Sequence, residues 1–132
     1  MSHKVIIVED DQMMAGLLTE KLAKTGMDVK LVQDGESFFK EIEKNIPDIV
    51  LLDLILPGIS GFDILAKIKS DDRTKTTPVI ILSNLGSNDE IKKGIDMGAD
   101  AYLIKSNVLI DEIIGKIEEV LKKKNAPQAP GA

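Results

Sequence analysis

The chain has 132 residues, 43% of them hydrophobic, which suits one compact domain with a real core and leaves no room for a second. Its 17 lysines and arginines against 22 acidic residues give a net charge of −5, which argues against a nucleic-acid surface built on clustered basic groups. No cysteine is present, so disulfides and thiolate metal sites are excluded. No apolar stretch approaches the roughly 20 residues of a membrane span, and no signal-peptide pattern opens the chain, so a soluble cytoplasmic protein is expected.

Strand-like apolar runs alternate with helical patterns throughout. The predicted order is a strand near Lys4 to Val8, a helix near Gln12 to Thr25, a strand near Val29 to Val32, a helix near Gly35 to Lys44 and a strand near Ile49 to Leu52. It continues with a helix near Gly61 to Ser70, a strand near Val79 to Leu82, a helix near Asn88 to Met97, a strand near Ala101 to Ile104 and a helix near Leu109 to Lys124. Five such βα units predict a parallel sheet. Met14, Leu17, Leu18 and Leu22 share one face of the first helix, and Leu109, Ile113, Ile117, Val120 and Leu121 one face of the last, as core packing requires.

Local punctuation supports these boundaries. Ser87 with Glu90 fits a capping box, and Gly26 and Gly98 stand where a left-handed residue ends a helix. Pro47 and Pro78 sit just before strands, where a missing donor costs little. Gly94 inside the fourth helix reads either as a soft point or as a site of close packing. Residues 125–132, with two prolines and no periodicity, are expected to be a disordered tail.

The polar residues that end the strands carry the functional signal. Val5 to Val8 runs into Glu9, Asp10 and Asp11, Ile49 to Leu52 into Asp53, Val79 to Leu82 into Ser83, and Tyr102 to Ile104 into Lys105. In an open parallel sheet, functional groups gather past the carboxyl ends of the strands, so these residues should meet at one edge. Carboxylates about 4 Å apart repel by about 4 kcal/mol at an effective dielectric near 20, so Glu9, Asp10 and Asp53 converge only around a positive charge. Magnesium suits them, being a hard cation that needs one or two carboxylates plus phosphate. Asp11 reads as the cap of the first helix instead. An aspartate ending so apolar a run as Ile49 to Leu52 can attack a phosphoryl group and form an acyl phosphate. Lys105 would neutralise phosphoryl oxygens and Ser83 would donate a hydrogen bond to one.

Taken together, Glu9-Asp10, Asp53 followed by Leu56-Pro57-Gly58 and Gly61, Ser83, the stretch Gly98-Ala99-Asp100-Ala101-Tyr102 and Lys105 resemble the receiver domain of two-component response regulators. The resemblance covers residues 4–122. It implies an α/β, flavodoxin-like three-layer sandwich with a five-stranded parallel sheet of order 2-1-3-4-5 and five helices. It also implies that Asp53 takes a phosphoryl group from a histidine kinase, a phosphotransfer protein or a small phosphodonor. Glu9, Asp10, Asp53 and the backbone carbonyl of Ile55 would hold Mg2+. Ser83 and Tyr102 would form a switch, read by a protein target on the face of the fourth helix, last strand and last helix. Such a chain is not an enzyme beyond its self-catalysed phosphorylation and dephosphorylation, and touches neither nucleic acid nor membrane directly.

The chain departs from the family pattern in three places. Ser106 stands where proline commonly follows the lysine, leaving the geometry of that peptide open. Asn84 replaces a smaller residue and is expected to crowd access to Asp53, and Ile55 and Leu85 are apolar beside the acceptor. Two alternatives compete. A magnesium-dependent phosphatase acting through an aspartyl phosphate usually wants a second acid two residues past the nucleophile, where this chain has Ile55. A flavin-binding protein wants a phosphate-cradling loop where Glu9-Asp10-Asp11 would repel phosphate.

Overall fold

The computed structural model describes residues 3–125. Five strands, β1 (Lys4–Val8), β2 (Asp28–Val32), β3 (Ile49–Leu52), β4 (Val79–Ser83) and β5 (Ala101–Ile104), form one parallel sheet in the order 2-1-3-4-5. The helices are α1 (Gln12–Lys24), α2 (Gly35–Lys44), α3 (Gly61–Ser70), α4 (Asn88–Asp96) and α5 (Ile110–Asn125). This is the expected flavodoxin-like architecture.

Successive strand residues point to opposite faces, so a strand covered on both sides must be apolar throughout. Ile6, Val8, Val50, Leu52, Val79 and Ile81 meet Phe38 and Ile42 of α2 and Ile64, Leu65 and Ile68 of α3. Their neighbours Val5, Ile7, Ile49, Leu51, Ile80 and Leu82 meet Leu18 and Leu22 of α1 and Ile113, Ile117 and Leu121 of α5. Each fully buried side chain of this kind contributes about 1.5–3 kcal/mol, so the two layers fix the sheet and with it the positions of the strand ends.

Most boundaries fall where the sequence puts them. Gly26 and Gly98 have φ of +89° and +107°, and the Ser87–Glu90 capping box forms at the start of α4. The differences are short. β4 takes in Ser83, α4 stops at Asp96, and a 3-10 turn, Lys105–Asn107, intervenes before α5. No peptide bond among the described residues is cis, Lys105–Ser106 included. The helix α5 reaches Asn125, one residue into the expected tail, and the rest of that tail lies outside the described residues.

Two residues expected in the core are not there. Leu17 is 47% exposed, because the buried stripe of α1 runs through Ala15, Leu18 and Leu22 and Leu17 flanks it. Leu109 is 71% exposed: α5 begins one residue later, and Leu109 serves its first turn through the backbone, its carbonyl accepting from Glu112 and Ile113. The role of Gly94 is close packing. A methyl group there would stand 2.7 Å from Ile81 Cδ1 and 3.1 Å from Tyr102 Cδ2, so α4 lies close on β4 and β5 and a side chain would have to displace Ile81 and Tyr102.

Candidate functional site

The strand order makes β1 and β3 neighbours, with Val8 paired to Leu52 and the Asp53 N–H donating to the Val8 carbonyl at 3.0 Å. Glu9 and Asp53, one residue past that pair, therefore emerge side by side. Both are buried, whereas Asp10 is exposed, and one carboxylate oxygen from each of the three lies within 4.8 Å of the others. From the far side of β4, Lys105 reaches across and places its ammonium 2.8 Å from Asp53 Oδ2 and 2.5 Å from Glu9 Oε1.

Three carboxylates against one ammonium leave the cluster short of positive charge. Burial, aided by the neighbouring Asp53 carboxyl, pushes the Glu9 carboxyl up to about 7, with Lys105 pulling the other way. Burial also works against the Lys105 charge, but its bonds to Asp53 and Glu9 outweigh that and hold its pKa above the ordinary lysine value. The lysine thus stays charged. Apart from Lys105, the buried Glu9 Oε1 has no partner among the described residues. Hard oxygens, a charge deficit and an unspent buried lone pair fit a divalent cation.

The remaining carboxylate contacts are local. Asp53 Oδ1 accepts from the Ile55 N–H at 3.2 Å, and Glu9 Oε2 accepts from the Asp11 N–H at 3.3 Å. Asp11 caps α1, its Oδ1 accepting from the Met14 N–H. The Ile55 side chain is exposed, while Leu85 packs on the core. Ser83 is fully buried, its Oγ accepting from the Leu85 N–H at 3.3 Å, and the Tyr102 hydroxyl donates to the Leu85 carbonyl. Ser83 and Tyr102 thus hold the same loop residue. Asn84 is exposed, and its side-chain oxygen is taken up by the Ser106 N–H.

Two features of the site escape the sequence. Lys105 pairs with Glu9 as well as Asp53, which follows from register and not from spacing along the chain. Gly61 lets α3 ride on Asp53 itself: a methyl there would stand 2.3 Å from the Asp53 carbonyl oxygen. The resemblance singles out Gly61, but nothing in the sequence shows that it seats α3 on Asp53.

The family model of the response regulator receiver domain matches residues 5–118. The sensory transduction protein RegX3 of Mycolicibacterium smegmatis is 37% identical over 119 residues, which is 90% of this chain and 50% of that protein. The chain spans about half the length of several curated relatives it matches. The receiver domain of the Francisella response regulator 1452 superposes with a TM-score of 0.86 at 30% identity, covering 94% of this chain and 100% of that one. The Mn2+-bound form of response regulator Rcp1 gives a TM-score of 0.80 at 26% identity, covering 96% and 99%. No helix among the described residues is long and apolar enough to cross a membrane. Sheet order, clustered strand ends and family match agree, and the chain belongs to the response regulator receiver domains, the phospho-acceptor signalling modules of two-component systems.

Proposed function

We propose that Asp53 is the phosphoryl acceptor of this domain. The observation that carries the reading is the buried Asp53 carboxylate at the end of β3, held between Lys105 and the acid pair Glu9 and Asp10. A carboxylate oxygen of Asp53 attacks phosphorus, an O–P bond forms, and the bond from phosphorus to the donor's nitrogen or oxygen breaks. Lys105 neutralises charge on the phosphoryl oxygens, and the Ser83 hydroxyl, whose proton is not used in accepting from Leu85, donates to one of them. Both phosphorylation and hydrolysis are self-catalysed by this constellation.

Glu9, Asp10, Asp53 and the Ile55 backbone carbonyl would hold magnesium, and the similar response regulator Rcp1 in a Mn2+-bound form supports a divalent cation on such a domain. When bound, the ion screens the carboxylates and lowers the charge on the incoming phosphoryl group. Donors are a histidine kinase or phosphotransfer protein in the cell. The partner face is α4, β5 and α5, where Tyr102 shares Leu85 with Ser83. We place the domain at residues 4–122 and its work in the cytoplasm.

Incubation with a small phosphodonor tests the reading. Intact mass should show one added phosphoryl group with magnesium present and none in excess chelator. Turnover of unrelated phosphoesters, with no stable adduct, would favour the phosphatase instead.

A further inference from the structure

Beyond the last backbone pair of β4 and β5, Ser83 with Ile104, a side chain adds one more rung: the Ser106 N–H donates to Asn84 Oδ1 at 3.0 Å. That N–H belongs to the peptide that follows Lys105. The bond therefore fixes the peptide plane just past Lys105, in the turn that follows β5.

Lys105 needs such a fix. Its ammonium bridges Asp53 and Glu9, and its side chain is only 10% exposed, yet its long stem has many rotamers that must be excluded to keep it there. A proline at position 106 would lock its own φ and carry no N–H. Serine leaves that φ free, and within the 3-10 turn Lys105–Asn107 its amide is taken up by Asn84. The other bonds of the β4–α4 loop, Leu85 to Ser83 and Tyr102 to Leu85, do not touch this peptide.

We propose that Asn84 is a positioning residue: its amide oxygen holds the Lys105–Ser106 peptide, keeps the Lys105 ammonium on Asp53 and Glu9, and so sets the rate at which Asp53 takes a phosphoryl group. The rate clause rests on the acceptor role proposed above, and the positioning clause does not. The two unusual residues, Asn84 and Ser106, compensate each other.

Trace acetylation with acetic anhydride, read lysine by lysine by peptide mass spectrometry, reports how accessible each ammonium is without any phosphorylation. In the full chain, Asn84→Ala should raise Lys105 labelling about fivefold relative to the other lysines, the equivalent of one ordinary hydrogen bond. It should also strip the Ser106 amide of its protection from hydrogen exchange, whereas Asn84→Asp, which retains the acceptor, should keep that protection. Ser106→Pro supplies a ring in place of the bond, so adding Asn84→Ala to it should leave Lys105 labelling unchanged. With acetyl phosphate and magnesium, Asn84→Ala should slow adduct formation about fivefold, a difference absent in a Lys105→Ala background.

Equal Lys105 labelling in the parent and Asn84→Ala overturns the positioning role, and so does the same rise in the Ser106→Pro background. If labelling rises as stated while the parent takes no phosphoryl group, the positioning role stands and the acceptor assignment falls.

Discussion

Replacing Gly61 with alanine probes whether α3 rests directly on Asp53. Gly61 opens that helix with its N–H on the Leu54 carbonyl at 2.9 Å, and an added methyl would stand 2.3 Å from the Asp53 carbonyl oxygen and 2.4 Å from Leu54 Cα. Both are backbone atoms, and Asp53 is itself tied to β1 through Val8. No rotamer change relieves such a clash. Overpacking that side chains can absorb costs about 1–3 kcal/mol, which puts a clash with fixed backbone near 3 kcal/mol or above. Alanine's helix preference over glycine returns at most about 1 kcal/mol, leaving a net loss of about 2 kcal/mol. With a urea dependence of about 2 kcal/mol per molar, the unfolding midpoint should fall by about 1 M. Urea unfolding followed by far-UV circular dichroism measures it. Gly16→Ala is the control: it lies inside α1 with nothing within 4 Å of the new methyl, and should stabilise by about 1 kcal/mol. A Gly61→Ala midpoint equal to the parent's, with Gly16→Ala behaving as stated, would refute the close approach.

Glu9 makes stability depend on pH. Its folded carboxyl titrates near 7 against 4.5 in the unfolded chain, so the folded state holds more protons in that window and metal-free stability falls as pH rises through it. Glu9→Gln should raise the urea midpoint above pH 7 and leave it unchanged below pH 4.5, and a slope persisting in the variant would contradict this. Asp11→Ala should cost about 1 kcal/mol of stability with magnesium affinity intact, whereas Asp10→Ala should weaken magnesium binding in calorimetric titration. Ile55→Asn with Leu85→Glu should speed loss of the phosphoryl group about tenfold or more, because the parent's apolar side chains cannot orient a hydrolytic water. Rapid decay in the parent, followed by mass spectrometry, would count against it.

Much of the fold is legible in the sequence because strands covered on both faces must be apolar along their whole length. The runs Ile49 to Leu52 and Val79 to Leu82 announce themselves, and Glu9, Asp53, Ser83 and Lys105 stand out as their polar ends. Helix faces are less distinct, since one residue's rotation separates buried Leu18 from exposed Leu17, and a one-residue shift in the start of α5 turns Leu109 outward. What the sequence hides are contacts made across strands: Lys105 with Glu9, Asn84 with Ser106, and the seating of Gly61 on Asp53. The first two join residues far apart along the chain, the third joins a helix start to the end of the preceding strand, and no periodicity encodes any of them. Gly94 shows the same limit, because helix propensity alone does not distinguish a soft point from a packed one.

The acceptor assignment is tested most directly by locating the phosphoryl group. After reaction with acetyl phosphate and magnesium, borohydride reduction of the acyl phosphate converts the modified aspartate to homoserine, which tandem mass spectrometry finds by position. The account predicts homoserine at position 53 alone and no adduct in Asp53→Asn. Homoserine at position 10 or 11, or an undiminished adduct in Asp53→Asn, would contradict it.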